Sequence, residues 1–208
     1  MLFDGVLLSN KGITKIYIYR LATDSGMAPC VDNGLFSLAV CKGGQIRKGN
    51  PINTGLRHLI GNDWGHSTGD TYVLGTYHDR FLYIARVTDV VTMEEYFQDI
   101  SKGRTDDIYD YKKGNLYRNN RYKNRNIHTT QEQIIKDIAG QYVLLSNDFV
   151  YLGEDAIFID LVKQYNARFQ ETKTYTGHIA EQIVKACYKY KDEVMHKPHE
   201  PLISKCGG

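Results

Sequence analysis

"TKIYIYRLA", residues 14–22, is the stretch on which the reading of the fold turns. Its β-branched and aromatic side chains alternate with the period of two that sends successive residues to opposite faces of a strand. Gly12 before it and the "TDSG" turn (residues 23–26) after it set its limits. "LFSLAVC" (35–41), "DTYVLGTY" (70–77) and "FLYIARVTDVV" (81–91) have the same character. The Gly- and Asn-rich stretches between them, "GNPINTG" (49–55) and "IGNDWGHSTGD" (60–70), read as loops. A strand-rich region over about residues 14–91 follows, forming a sheet or a partly closed barrel.

Helices enter after that region. Thr92 with Glu95, and Thr130 with Gln133, are capping-box pairs, in which hydroxyl and side-chain carbonyl or carboxylate each satisfy an unpaired amide. Gly140 is suited to the left-handed residue that ends the second helix. Ile179, Ile183, Cys187, Tyr190 and Val194 recur at spacings of three and four, predicting a C-terminal amphipathic helix over about residues 177–194. The strands "YVLLS" and "DFVYLG" fall between these helices, so the class is α+β without regular strand–helix alternation.

The 208 residues suit one elaborated domain, 1–208, and 42% hydrophobic with 24% charged residues is the composition of a folded chain. No apolar run approaches the roughly 18 residues of a membrane-spanning helix. The four cysteines are scattered without CxxC pairs and without a preceding apolar signal segment, so a reduced cytoplasmic setting is expected. A net charge of +2 conceals one uneven stretch. "YKKGNLYRNNRYKNRNIH", residues 111–128, holds six Lys and Arg, three tyrosines, five asparagines and no acid.

Function hinges on "SGMAPCVDNGLFSLAVCKGGQIRKG", residues 25–49. Three chemistries compete for it. A structural zinc needs four ligands that usually arrive as close pairs, and ten residues intervene between Cys30 and Cys41, so no metal or other cofactor is expected. A nucleophilic cysteine, Cys30 or Cys41, would take its base from a distant histidine, His66 or His128, because such partners need not be near in sequence. HExxH, P-loop and GxGxxG patterns do not occur. The third chemistry is nucleotide binding, with Gly43 and Gly44 admitting a ligand close to the backbone and Lys42, Arg47 and Lys48 matching phosphate. Arg118, Arg121, Lys123 and Arg125, interleaved with Tyr117 and Tyr122, add phosphate neutralisation and stacking surfaces for a strand of nucleic acid. Asp107 and His128 are the candidate proton-transfer groups, with Cys41 as the candidate nucleophile.

The blocks "SGMAP", "GLFSLAVCKGGQIR", "GDTYVLGT", "LYIARVTDVVTMEEYF", "DDIYDYKKGNLYR" and "YVLLSNDFVYLGEDA" occur in an order that resembles the second family of nucleotide-modification-associated domains, over about residues 16–160. That family occurs in phages and bacteria near systems that modify DNA bases. The resemblance implies a nucleotide or DNA ligand without naming a reaction, and points to Asn33, Gly34, Cys41, Lys42, Arg47, Asp70, Asp107 and Tyr109. Phe36 stands where the family usually has a second cysteine, and Gly43 where it has proline. A looser likeness of pattern, to PUA and EVE barrels, implies a base pocket between barrel and loops. The expectation is a binding domain for a modified base or nucleotide, with Asn33, Gly34, Lys42, Arg47, Tyr109, Tyr117 and Arg121 as contacts. The alternatives are an enzyme that modifies or trims a base, and a binder of a free signalling nucleotide.

Overall fold

The computed structural model describes residues 12–48, 50–119, 128–191 and 196–199. The alternation in residues 14–22 becomes strand β1 (Lys15–Leu21), and both of its faces are covered. Ile16 and Ile18 enter one apolar cluster, while Tyr17, Tyr19 and Leu21 enter another.

β1 lies inside a five-stranded sheet of order β12-β7-β6-β1-β13. It pairs parallel with β6 (Thr71–Tyr77) and antiparallel with β13 (Thr172–Thr176). β7 (Arg80–Arg86) and β12 (Asp148–Tyr151) extend the sheet on the other side of β6. A second, antiparallel sheet runs β2 (Cys30–Asp32), β3 (Leu35–Leu38), β11 (Tyr142–Ser146) and β8 (Asp89–Thr92). Two hairpins stand apart from both sheets: β4 (Gln45–Arg47) with β5 (Asn50–Ile52), and β9 (Tyr109–Lys112) with β10 (Asn115–Arg118).

The expected partly closed barrel of PUA or EVE type is corrected here. Among the described residues no sheet closes on itself. Layering takes the place of closure: the five-stranded sheet buries one face beneath α4 (Asp160–Tyr165) and α5 (His178–Tyr188). Its other face meets the four-stranded sheet and α1 (Leu56–Asp63) through Tyr19, Leu21, Phe36, Ile60 and Tyr83. The outer side of the second sheet is covered by α2 (Met93–Glu95), the π-helical turn Tyr96–Ile100 that follows it, and β9. Helices on an apolar face bury it as fully as curling the sheet would.

Both capping boxes form. Thr92 and Thr130 accept from the amides of Glu95 and Gln133, whose side chains accept in return, starting α2 and α3 (Gln131–Ile138). The C-terminal helix is shorter than expected, and its buried residues are Ala180, Ile183 and Cys187, with Ile179 more than a third exposed. Val194 lies outside the described residues. The left-handed residue after α3 is Gln141, φ 58°, rather than Gly140. Gly140 is required for another reason: a Cβ there would lie 2.4 Å from Cζ of Arg57. Residues 56–63, partly read as loop, form α1 because Leu56 and Ile60, four apart, both reach the core between the sheets.

Candidate functional site

The chain leaves β3 through Ala39 and Val40, both fully buried, and then turns sharply. Cys41 and Lys42 take left-handed backbone conformations, φ 58° and 48°. Such conformations cost about 1–3 kcal/mol each for non-glycine residues, so they persist only where the surroundings over-determine them. The surroundings here centre on Arg57, which is fully buried at the start of α1. Its Nε donates to the carbonyl of Cys41 (2.7 Å), one terminal nitrogen to the carbonyl of Tyr142 (2.7 Å) and the other to that of Asp137 (2.6 Å). Three separate elements thus meet on one guanidinium. Burial pulls the pKa of Arg57 below the ordinary value, opposed by the charges of Asp137, Cys41 and Tyr109, yet an arginine stays charged.

Gly43 and Gly55 make this packing fit. A Cβ on Gly43 would fall 2.4 Å from the carbonyl oxygen of Lys136 and 2.6 Å from a terminal nitrogen of Arg57, and one on Gly55 would strike the Lys42 carbonyl at 2.3 Å. The glycines of "CKGG", expected to admit a ligand, instead admit neighbouring backbone and the Arg57 side chain. Gly44 likewise faces the Ile52 carbonyl, 2.3 Å from where its Cβ would stand.

On this base three side chains line up. Asp137, in the last turn of α3, is 1% exposed. Its Oδ1 accepts from the Cys41 amide (2.7 Å), and its Oδ2 from the Tyr109 hydroxyl (2.7 Å) and from Nδ1 of His128 (2.5 Å). His128, φ 54°, presents Nε2 to Sγ of Cys41 at 3.3 Å. The order is thiol, imidazole, carboxylate. Burial disfavours the charge of His128, but hydrogen bonds to Asp137 and Cys41 outweigh it and push its pKa up to about 10.

These three residue types also bind metals, and their donor atoms lie within 4.8 Å of one another. The imidazole, however, sits between the other two, offering one nitrogen to the thiol and the opposite one to the carboxylate. A metal bound by all three would require the ring to leave the Asp137 hydrogen bond. The arrangement suits an oriented base beside a nucleophile.

The relay opens into a cleft of about 550 Å³, within the range of small-molecule sites. β1, the Cys41–Ile46 segment, α3 and residues 170–172 wall it. Cys41 is partly exposed, whereas Cys30 and Cys187 are buried and their thiols pushed up, mainly by desolvation. A larger hollow of about 730 Å³, lined by Thr14, Ser67, Asp70, Glu181 and Lys185 among others, has no cysteine or histidine among the described residues of its lining.

The other expected site residues are dispersed. Asn33 and Gly34, both with positive φ, are the exposed tip of the β2–β3 hairpin, where Asn-Gly satisfies the turn. Arg47 is exposed on β4. Tyr109 is fully buried, so no face of its ring is open to a base, and its hydroxyl serves Asp137. Asp107 is 1% exposed and accepts from Ser101 Oγ at 3.1 Å, a place in the interior and not in the cleft. Tyr117 is 51% exposed on β10, while Arg121, Lys123 and Arg125 lie outside the described residues. Among the described residues Lys42 is the one expected anion contact in the cleft wall. His66 is exposed beyond α1.

Sequence reasoning named Cys41 and His128 but missed Asp137 and Arg57. One signal for Asp137 was available, because an acid in the last turn of a helix opposes the helix dipole and needs a reason to be there. Arg57 carries no comparable mark.

The family described as nucleotide modification associated domain 2 matches over residues 13–205, nearly the whole chain. No curated protein and no solved structure matches.

Proposed function

We propose, from the premise that this chain belongs to the nucleotide modification associated domain 2 family, that it is an enzyme acting on a nucleotide through a cysteine nucleophile. Cys41 is the nucleophile, His128 its base and later its acid, and Asp137 the group that holds the imidazole. The observation that supports this reading is the hydrogen-bonded series Cys41–His128–Asp137 at the floor of a ligand-sized cleft. A module that only recognises a base gains nothing from two adjacent left-handed residues and a charged histidine beside a partly exposed thiol. The left-handed pair costs stability, and a nucleophile uses it.

The reaction class is acyl transfer or hydrolysis. The Cys41 thiolate, paired with the His128 imidazolium, adds to an acyl carbon carried by the nucleotide. The tetrahedral adduct collapses to a thioester as the leaving oxygen or nitrogen takes a proton from His128. Water or an amine, deprotonated by His128, then attacks the thioester, and the sulfur departs as thiolate. For a polynucleotide substrate the β9–β10 hairpin is the adjoining surface, with Tyr109 tied to Asp137 at its root and Tyr117 exposed.

The test is turnover of acylated nucleotides and nucleosides, with intact-mass detection of a Cys41 adduct. Cys41→Ala is expected to abolish both, and His128→Ala to lower turnover by about a hundredfold or more. Wild-type turnover by Cys41→Ala would overturn the proposal, and so would binding of every substrate tried with neither adduct nor product.

A further inference from the structure

We infer that Lys42 forms an anion subsite in the cleft, so that the substrate carries a phosphate or carboxylate close to the carbon that Cys41 attacks. This inference rests on the nucleophile reading given above. Apart from His128, three cationic side chains among the described residues line the cleft: Arg20, Lys42 and Lys136. Two of them are already paired. Arg20 meets Asp79 at 3.2 Å, and Lys136 meets Glu132 one helical turn away at 3.0 Å. Among the described residues Lys42 has no carboxylate within 4.0 Å, and its Nζ stands over the ring of Tyr19, 5.0 Å from the centroid.

That contact fixes the ammonium without neutralising it. A cation over an aromatic face keeps its charge and its three donors. Tyr19 is 2% exposed and its hydroxyl pairs with that of Tyr83, so the ring is a rigid part of the wall. Pinning a lysine stem costs side-chain entropy, which here holds the charge in the wall of the cleft that contains Cys41. The acids of the cleft do not compensate it. Asp137 is engaged by His128, Tyr109 and the Cys41 amide, and Glu171 accepts from the amide of Arg168 at 3.0 Å. A cleft whose wall holds both this unneutralised ammonium and the reactive sulfur selects a substrate with a negative group.

Two alkylating agents of similar shape test this without a known substrate. Iodoacetamide is neutral and iodoacetate is anionic. In both reactions the Cys41 thiolate displaces iodide and a carbon–sulfur bond forms, and the rate at Cys41 is read by peptide mass spectrometry at pH 6. The expected ratio of iodoacetate to iodoacetamide rate exceeds that of free cysteine by about tenfold or more, falls about tenfold in Lys42→Gln, and is restored in Lys42→Arg. A ratio that Lys42→Gln leaves unchanged overturns the subsite, since His128 then supplies the attraction. So does a ratio in the wild type no higher than that of free cysteine. A Cys41 inert to iodoacetamide at pH 6 refutes the nucleophile reading itself, a result distinct from either of those. Inorganic phosphate that slows iodoacetate at the wild-type protein but not at Lys42→Gln assigns the subsite to phosphate. A charge-selective Cys41 without phosphate protection assigns it to carboxylate.

Discussion

Replacing Asp137 by Asn separates what the carboxylate does for the fold from what it does for the thiol. In the fold His128 is raised from the ordinary 6.5 to about 10, which at about 1.4 kcal/mol per pH unit favours its charged form by roughly 5 kcal/mol. Asp137 and Cys41 share that effect, leaving about 2–4 kcal/mol to the carboxylate. Because the folded value lies above the unfolded one, this stabilisation is fully present below pH 6.5 and is lost as pH rises towards about 10. The hydrogen bonds from the Cys41 amide and the Tyr109 hydroxyl add a loss that does not vary with pH, about 1–3 kcal/mol. Urea unfolding of both proteins at pH 6 and pH 10 should therefore show a larger deficit for the variant at pH 6, by about 2–4 kcal/mol. Alkylation of Cys41 by iodoacetamide follows the same chemistry. An ordinary thiol is less than about 1% thiolate at pH 6. The wild type should react well above that level, and Asp137→Asn should lose about tenfold or more of the rate. Equal deficits at the two pH values, together with matching alkylation profiles, would refute the relay as the source of either effect.

Arg57→Met should lower stability by at least about 3 kcal/mol in denaturant melts, since three carbonyls, one buried and two partly buried, lose a charged donor together. No change in the unfolding midpoint would contradict the role given to Arg57. Tyr96→Phe tests a second buried polar group: its hydroxyl donates to Asp106 and accepts from Arg104, and its loss should cost about 1–3 kcal/mol in the same assay.

Strands β1, β3, β6, β7, β11 and β12 were legible because alternation reports burial directly, whereas β5 falls in a stretch read as loop and β10 in the segment read as a basic loop; β1 shows how far alternation goes. Its period was plain, but both of its faces are buried, and only the layers around it explain why it lies within a sheet rather than at the wall of a barrel. The capping boxes were legible because each is a local exchange of hydrogen bonds within four residues. What escaped was long-range. Gly43, Gly55 and Gly140 look alike in sequence to glycines that shape a ligand loop, yet their smallness serves Arg57 and the backbones around it. Cys41 and Asp137 are separated by 96 positions, and nothing in either neighbourhood announces the other. His128 was named as a proton-transfer group, but its two partners had to be found in space.

The single guanidinium at the junction of the β3 turn, α3 and β11 makes the Cys41–His128–Asp137 cluster indivisible. No one of the three segments can drift while the other two hold their places, because each would strand a carbonyl that the same side chain was serving. Amide exchange at Cys41, which itself donates to Asp137, and exchange at the neighbours of Tyr142 should accordingly proceed in step, through one shared opening event.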